Sequence, residues 1–157
     1  IPKMLRRGVT VALAADGAAS NDTLDMFEEM RFAALLHKGV NEDPTALTAR
    51  QAFDMATAGG GRAVGRPVGA IDPGNLADLA LIRLDRPHLQ PLHDPVNTVV
   101  YCAKASDVDT TIVGGEIVMR GGVIQTVDEA AALAAAQAYG AQLYEEGVAL
   151  WQEVAPS

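Results

Sequence analysis

The segment "VTVALAADGAAS", residues 9–20, most restricts what this chain can fold into. A run of small apolar residues ends on a carboxylate, Asp16, and Gly17 follows at once. Apolar residues without alternation predict a strand over residues 9–15 that is covered on both faces, as in parallel sheets. The next stretch, "NDTLDMFEEM", carries a helix start. Asn21 or Asp22 is placed to cap it, and Asp25, Glu28 and Glu29 suit the positive end of its dipole. Leu24, Phe27, Met30 and Ala34 recur at helical spacing and predict its buried stripe. Strand, loop and helix together make the repeating unit of a β/α barrel, in which functional groups sit at the C-terminal ends of strands. Asp16 falls at such an end. Aspartate is a poor strand residue, and burying its charge without a partner is costly. On this pattern Asp16 is either a turn residue that stops the strand, or a carboxylate that faces a divalent metal or its bound water.

The flanking segments extend this α/β reading. "IPKMLRRG" reads as the tail of a helix over residues 3–7, with Gly8 as its stop. A domain rarely opens on the end of a helix, so the chain reads as the C-terminal piece of something longer. After Asp16, Gly39 ends the first helix. Asp43 as cap with Pro44 behind it predicts a second helix to about residue 58, broken by Gly59, Gly60 and Gly61. From Gly65 the texture turns β-rich. A turn at Asp72, Pro73 and Gly74 precedes a strand over residues 79–84, and "NTVVY" is a further β-rich run. "TTIVGGEIVMRGGVI" is a hairpin signal around Gly114 and Gly115, closed by Gly121 and Gly122. The Pro-rich "DRPHLQPLHDP" reads as a loop. Residues 127–153 read as an Ala-rich terminal helix, with a break expected near Gly140 or Gly147.

Charge and cysteine usage exclude several classes. Twelve Lys and Arg stand against 20 Asp and Glu, a net charge of −8, which argues against a nucleic-acid partner. No apolar stretch is long enough to span a bilayer, and no signal-peptide pattern stands out, so no membrane partner is expected. Cys102 is the single cysteine. It cannot form an internal disulfide, it is expected to be a small buried hydrophobe, and a cytoplasmic location follows as the default. Without C-x-x-C, the zinc deaminases that use H-x-E and P-C-x-x-C are excluded. "GGGRAVG" lacks the Lys-Ser/Thr of a phosphate loop and is expected to serve packing at a helix break.

"GVTVALAADGAASNDTLDMFEEMRFAALLHKG" resembles the last barrel strand and following helix of the amidohydrolase superfamily. It is most similar to the branch of methylthioadenosine/S-adenosylhomocysteine deaminases, cytosine and guanine deaminases, and triazine chlorohydrolases. Asp16, Gly17, Ala19, Ser20 and Asn21 carry the D-G/S-x-A-S-N core. "MATAGGGRAVG", the "IDPGNLADLALI" segment and "VGGEIVMRGG" add to the match.

The resemblance implies the last β/α segment of a (β/α)₈ barrel in residues 1–64, a segment of a small composite β-sandwich in residues 65–126, and a C-terminal helix in residues 127–157. It implies hydrolytic deamination of a purine-like or nucleoside-like ring by metal-bound hydroxide, or, as the alternative, a triazine chlorohydrolase. Asp16 would be both metal ligand and proton shuttle, for zinc or alternatively iron. Ala14 and Ala15 would leave room at the barrel mouth. Ser20 and Asn21 would lie above the metal as candidate substrate-binding residues, with Asn21 capping the helix.

The family also needs an H-x-H pair and further histidines, and His37, His88 and His93 match none of these positions. His37 suits a helix C-terminus. His88 and His93 read as structural, surface or subunit-contact residues. The chain therefore supplies one ligand of a site that needs several. Its expected partners are the missing N-terminal part of the barrel, a small-molecule substrate and further copies of itself in a homo-oligomer. Lacking the histidines, it also reads as a non-catalytic structural or oligomerisation fragment.

Overall fold

A computed structural model describes residues 1–154, which divide into two units, Ile1–Gly122 and the residues from Val123 onward. In the first unit α1 (Pro2–Arg6) starts on a proline and stops where Gly8 takes φ +72°. Residues 9–17 then run without regular secondary structure. The expected strand is thus corrected to an irregular segment. A strand needs a ladder partner on at least one side, and the described residues place none beside it; their one sheet lies elsewhere in the sequence. The segment is held instead by Val9 N–H donating to Met4 O (3.1 Å) and Leu13 N–H donating to Met55 O (3.0 Å). Its burial alternates. Val11, Leu13 and Ala15 are half-buried, whereas Thr10, Ala12, Ala14 and Asp16 share an exposed face.

The helices that carry this segment start from strong caps. One turn, α2 (Ala18–Asn21), leads to α3 (Met26–Asn41). Asp25 rather than Asn21 or Asp22 caps α3, its Oδ1 accepting from Phe27 N–H (2.8 Å) and Glu28 N–H (3.4 Å). Leu24 lies ahead of that cap and is exposed, so the buried stripe reduces to Met30 and Ala34, with Phe27 partly covered. Helix α3 runs past Gly39 and ends at Glu42, which takes a left-handed φ of +50°. The second helix begins at Ala49, not Pro44, because Thr48 and Gln51 form a capping box. Asp43 instead closes a turn onto Thr45. Helix α4 (Ala49–Ala56) gives way to α5 (Ala58–Val64) at Thr57, where φ is −119° and ψ −97°. Gly59, Gly60 and Gly61 lie inside α5 and do not break it.

"NTVVY" is helix α6 (Pro95–Tyr101), not a β-rich run. Asp94 caps it with bonds from Val96 and Asn97 N–H, and Pro95 occupies its first position. Cap and proline outweigh the weak β preference of Val and Thr. Burial of Val99 and Val100 against α3 and α4 then secures the helix. Met30, Ala34, Ala49, Ala52, Val99 and Val100 form the core, with Leu13 of the irregular segment packed on it. Cys102, just past α6, is exposed, which corrects the expectation of a buried thiol.

Three antiparallel strands complete the first unit: β1 (Leu79–Ile82), β2 (Val108–Val113) and β3 (Glu116–Arg120). Strand β1 stops two residues short of the expected end. The β2–β3 hairpin turns at Gly114 and Gly115, whose φ values of +58° and +87° suit the tight primed turn. Asp78 Oδ1 accepts from Gly114 N–H at 2.6 Å and ties the hairpin tip to the start of β1. The second unit contains β4 (Val123–Ile124) and α7 (Glu129–Val154), which passes through Gly140 and Gly147 without a break. Residues 155–157 of the expected terminal helix lie outside the described residues. Among the described residues no helix is long and apolar enough to cross a membrane.

Candidate functional site

Asp16 closes the exposed face formed by Thr10, Ala12 and Ala14, three small side chains that leave the space before it open. Its Oδ1 accepts from Gly17 N–H at 2.7 Å. This bond fixes one oxygen by backbone geometry, while the side chain as a whole remains exposed. The expected buried carboxylate is corrected accordingly: Asp16 is open to solvent because no described element covers that face. Ala15 points to the opposite, half-buried side.

Ser20 and Asn21 follow on α2, and neither points freely into space. Ser20 Oγ donates to Gly17 O at 3.1 Å. Asn21 is half-buried and uses its amide on Glu29 Oε1 (2.7 Å) and Thr23 O (3.2 Å). Asn21 therefore ties its loop to α3 rather than capping that helix. The signal for this tie in the sequence is Glu29, a carboxylate eight positions after Asn21 that serves as an acceptor as well as a charge at the helix start.

The histidines stand apart from Asp16 in the chain's hydrogen bonding. His37 lies within α3 and His93 is exposed in the Pro-rich loop. His88 has a structural role. Its Nε2 lies 2.9 Å from Oδ2 of Asp107, a side chain only 3 % exposed, whose Oδ2 also accepts from Lys104 N–H at 3.0 Å. Burial pushes the Asp107 carboxyl upward. The hydrogen bonds from His88 and Lys104, with the charges of His88 and Arg86, outweigh it and hold the group below the ordinary carboxylate value.

A depressed folded pKa contributes stability above the unfolded value, and that contribution disappears as pH falls through the folded one. Asp107→Asn is therefore expected to lower the melting temperature at neutral pH and to flatten its decline below about pH 4. Melting curves of the two proteins that stay parallel through the acid range would contradict this.

Among the described residues, no three His, Cys, Asp or Glu side chains gather as a metal site. A catalytic zinc takes about three protein ligands. The described residues do not compose such a site by themselves, and Asp16 is a single carboxylate.

An extended segment that ends on an exposed carboxylate, a series of helices and an antiparallel sheet make this a chain of mixed helix and sheet. It belongs to the amidohydrolase family, which matches residues 1–118. The chain is 52% identical over 131 residues to a 5-methylthioadenosine/S-adenosylhomocysteine deaminase of Acetivibrio thermocellus, covering 82% of this chain and 30% of that protein. It is 47% identical over 143 residues to a 5'-deoxyadenosine deaminase of Methanothermobacter thermautotrophicus, covering 91% and 34%. Among solved structures, an adenosine deaminase from Xanthomonas campestris with bound zinc superposes with a TM-score of 0.88 at 35% identity, covering 92% of this chain and 33% of that one. A zinc-complexed atrazine chlorohydrolase from Arthrobacter aurescens gives 0.81 at 29%, covering 87% and 31%. The chain thus spans about a third of the length of the relatives it matches.

Proposed function

We propose that this chain is the C-terminal part of an aminohydrolase that releases ammonia from an adenosine-like ring, with Asp16 as its working carboxylate. The observation that carries the reading is the identity of 52% and 47% to two deaminases of adenosine-type nucleosides. In this reading residues 1–64 close a (β/α)₈ barrel, residues 65–126 belong to a composite β-sandwich, and residues 127–157 form a terminal helix. Irregular residues 9–17 take up strand pairing only beside neighbours contributed by the rest of the barrel. The protein acts in the cytoplasm as a homo-oligomer. Exposed Phe32, Leu35, Leu36 and Val40 on α3 support burial against further protein.

Deamination adds water to the amidine carbon, breaks its C–N bond, releases ammonia and leaves a ring carbonyl. A divalent metal, zinc or alternatively iron, supplies the water activation when bound, with its remaining ligands outside this chain. Asp16 moves the proton. With Oδ1 held by Gly17 N–H, Oδ2 takes a proton from the attacking water and returns it to the departing nitrogen. The open face of Ala12 and Ala14 leaves room for a ring beside it. The higher identities to deaminases favour this over chloride release from a triazine.

The test is to express the full-length protein that carries this segment and to follow ammonia release from adenosine, 5'-deoxyadenosine and methylthioadenosine, with chloride release from a chlorotriazine in parallel. Ammonia release from at least one nucleoside is expected; chloride release alone would overturn the reading. The 157-residue chain by itself is expected to be silent even with added zinc, because it offers one carboxylate where about three ligands are needed. Turnover that persists through purification and disappears in Asp16→Ala would refute that expectation.

A further inference from the structure

We propose that Glu29 is a positioning residue: by gripping Asn21 it holds the strained turn after Asp16 and so fixes the Asp16 carboxylate for reaction. The proposal rests on the reading of Asp16 as the working carboxylate. The strain lies at Asp22, where φ is +61° and ψ −43°. Side chains with a Cβ rarely adopt positive φ, and such a residue persists only where its surroundings hold it.

The surroundings that hold it converge on α3. Asn21 Nδ2 donates to Glu29 Oε1 at 2.7 Å and to Thr23 O at 3.2 Å, and the second bond spans Asp22. Thr23 N–H donates back to Asn21 O at 2.6 Å. The bond to Glu29 is charge-assisted and both residues are half-buried, so water competes for it weakly. A second tie, Thr23 Oγ1 to Glu28 Oε2 at 2.9 Å, is exposed and weaker for that reason.

Glu29 is itself well anchored. It stands one residue before Met30, which is 5% exposed in the core face of α3. From there the bonds run without a gap to the carboxylate. Asn21 N–H donates to Gly17 O at 3.0 Å, and Gly17 N–H donates to Asp16 Oδ1 at 2.7 Å. A shift of Asn21 is therefore passed to Asp16 through one turn of backbone. Glutamate suits the position because it only accepts, and Asn21 has two N–H groups to give.

The experiment uses the full-length protein with Glu29→Ala, Glu29→Gln, Asn21→Ala and the double alanine variant. Glu29→Ala is expected to lower kcat about ten- to a hundred-fold, the range seen when a supporting partner of a functional side chain is lost. KM and melting temperature should change little. Glu29→Gln keeps an accepting Oε1 and should restore most of the rate. The double variant should lose no more than either single one, because both remove the same bond. Hydrogen exchange of amides 17–23 should quicken in Glu29→Ala and return towards normal in Glu29→Gln.

An unchanged kcat in folded Glu29→Ala, a Glu29→Gln as impaired as the alanine variant, or additive losses would overturn the proposal. If Glu29→Ala does not fold, Asn21→Ala decides, and unchanged rate and exchange there overturn it equally. A wild-type protein without deaminase activity rejects the functional reading, and exchange still reports whether the grip exists. An active wild type with an inert Asp16→Asn and a normal Glu29→Ala rejects the positioning role alone.

Discussion

Asp16→Asn in the full-length protein is expected to lower turnover by about a hundred- to ten-thousand-fold, the usual contribution of a general acid–base group, while the melting temperature should hardly move. The geometry predicts this split. Asparagine keeps the shape of aspartate and keeps an oxygen for Gly17 N–H, which lies 2.7 Å from Asp16 Oδ1. The turn into α2 is preserved, so the fold has no reason to weaken. What asparagine lacks is a basic oxygen that takes and returns a proton. A residue that merely closes a turn would behave otherwise, since asparagine serves that purpose about as well. Turnover, bound metal and melting temperature measured on one preparation separate the two. Near-normal turnover with full metal content rejects the assignment of Asp16 as the working carboxylate.

Gly69→Ala is expected to destabilise the protein by about 3 kcal/mol, whereas Gly60→Ala is expected to stabilise it by about 0.4–1 kcal/mol. Gly69 has φ +87°, and a Cβ there would lie 2.4 Å from Thr57 O and 2.6 Å from Ala58 N. Both neighbours are backbone at the junction of α4 and α5 and cannot rotate away. Gly61 is confined similarly, its Cβ falling 2.3 Å from Val68 O. A Cβ on Gly59 would meet Val11 O at 2.7 Å, within the segment that carries Asp16. Gly60 faces open space, and alanine there gains helix propensity and loses unfolded-state freedom. Denaturant midpoints of the three alanine variants, at positions 60, 61 and 69, check the pattern. Equal shifts at positions 60 and 61 would reject the account of "GGGRAVG" as a segment whose alternate glycines meet backbone.

The sequence was most legible where local chemistry decides the outcome. Gly114 and Gly115 between two β-rich runs specify a hairpin because few other residues tolerate positive φ at both turn positions. Gly8 ends α1 for a related reason. Where two local signals compete, the stronger decides. "NTVVY" carries β-branched residues, but Asp94 and Pro95 before it form a helix start. At α3 several acids were available to cap, and the choice of Asp25 also depends on a remote residue: its Oδ2 accepts from Ala105 N–H at 3.1 Å, 80 positions away.

The residues of the candidate site were likewise legible, but their surroundings were not. Asp16, Ser20 and Asn21 are marked by an apolar run that ends on a carboxylate and by a family-like motif. Which groups Asn21 binds depends on where α3 comes to lie, and that follows from packing of Met30 and Ala34 against α4 and α6. Sequence alone determined the chemistry available at each position: a carboxylate, an amide, glycines free of a Cβ, capping side chains. Only the tertiary structure decided which face Asp16 occupies, that Glu29 reaches Asn21, and which glycines meet backbone. The reason is physical: propensity acts through neighbours in the chain, whereas burial and hydrogen-bond partners across space are set by how the helices pack.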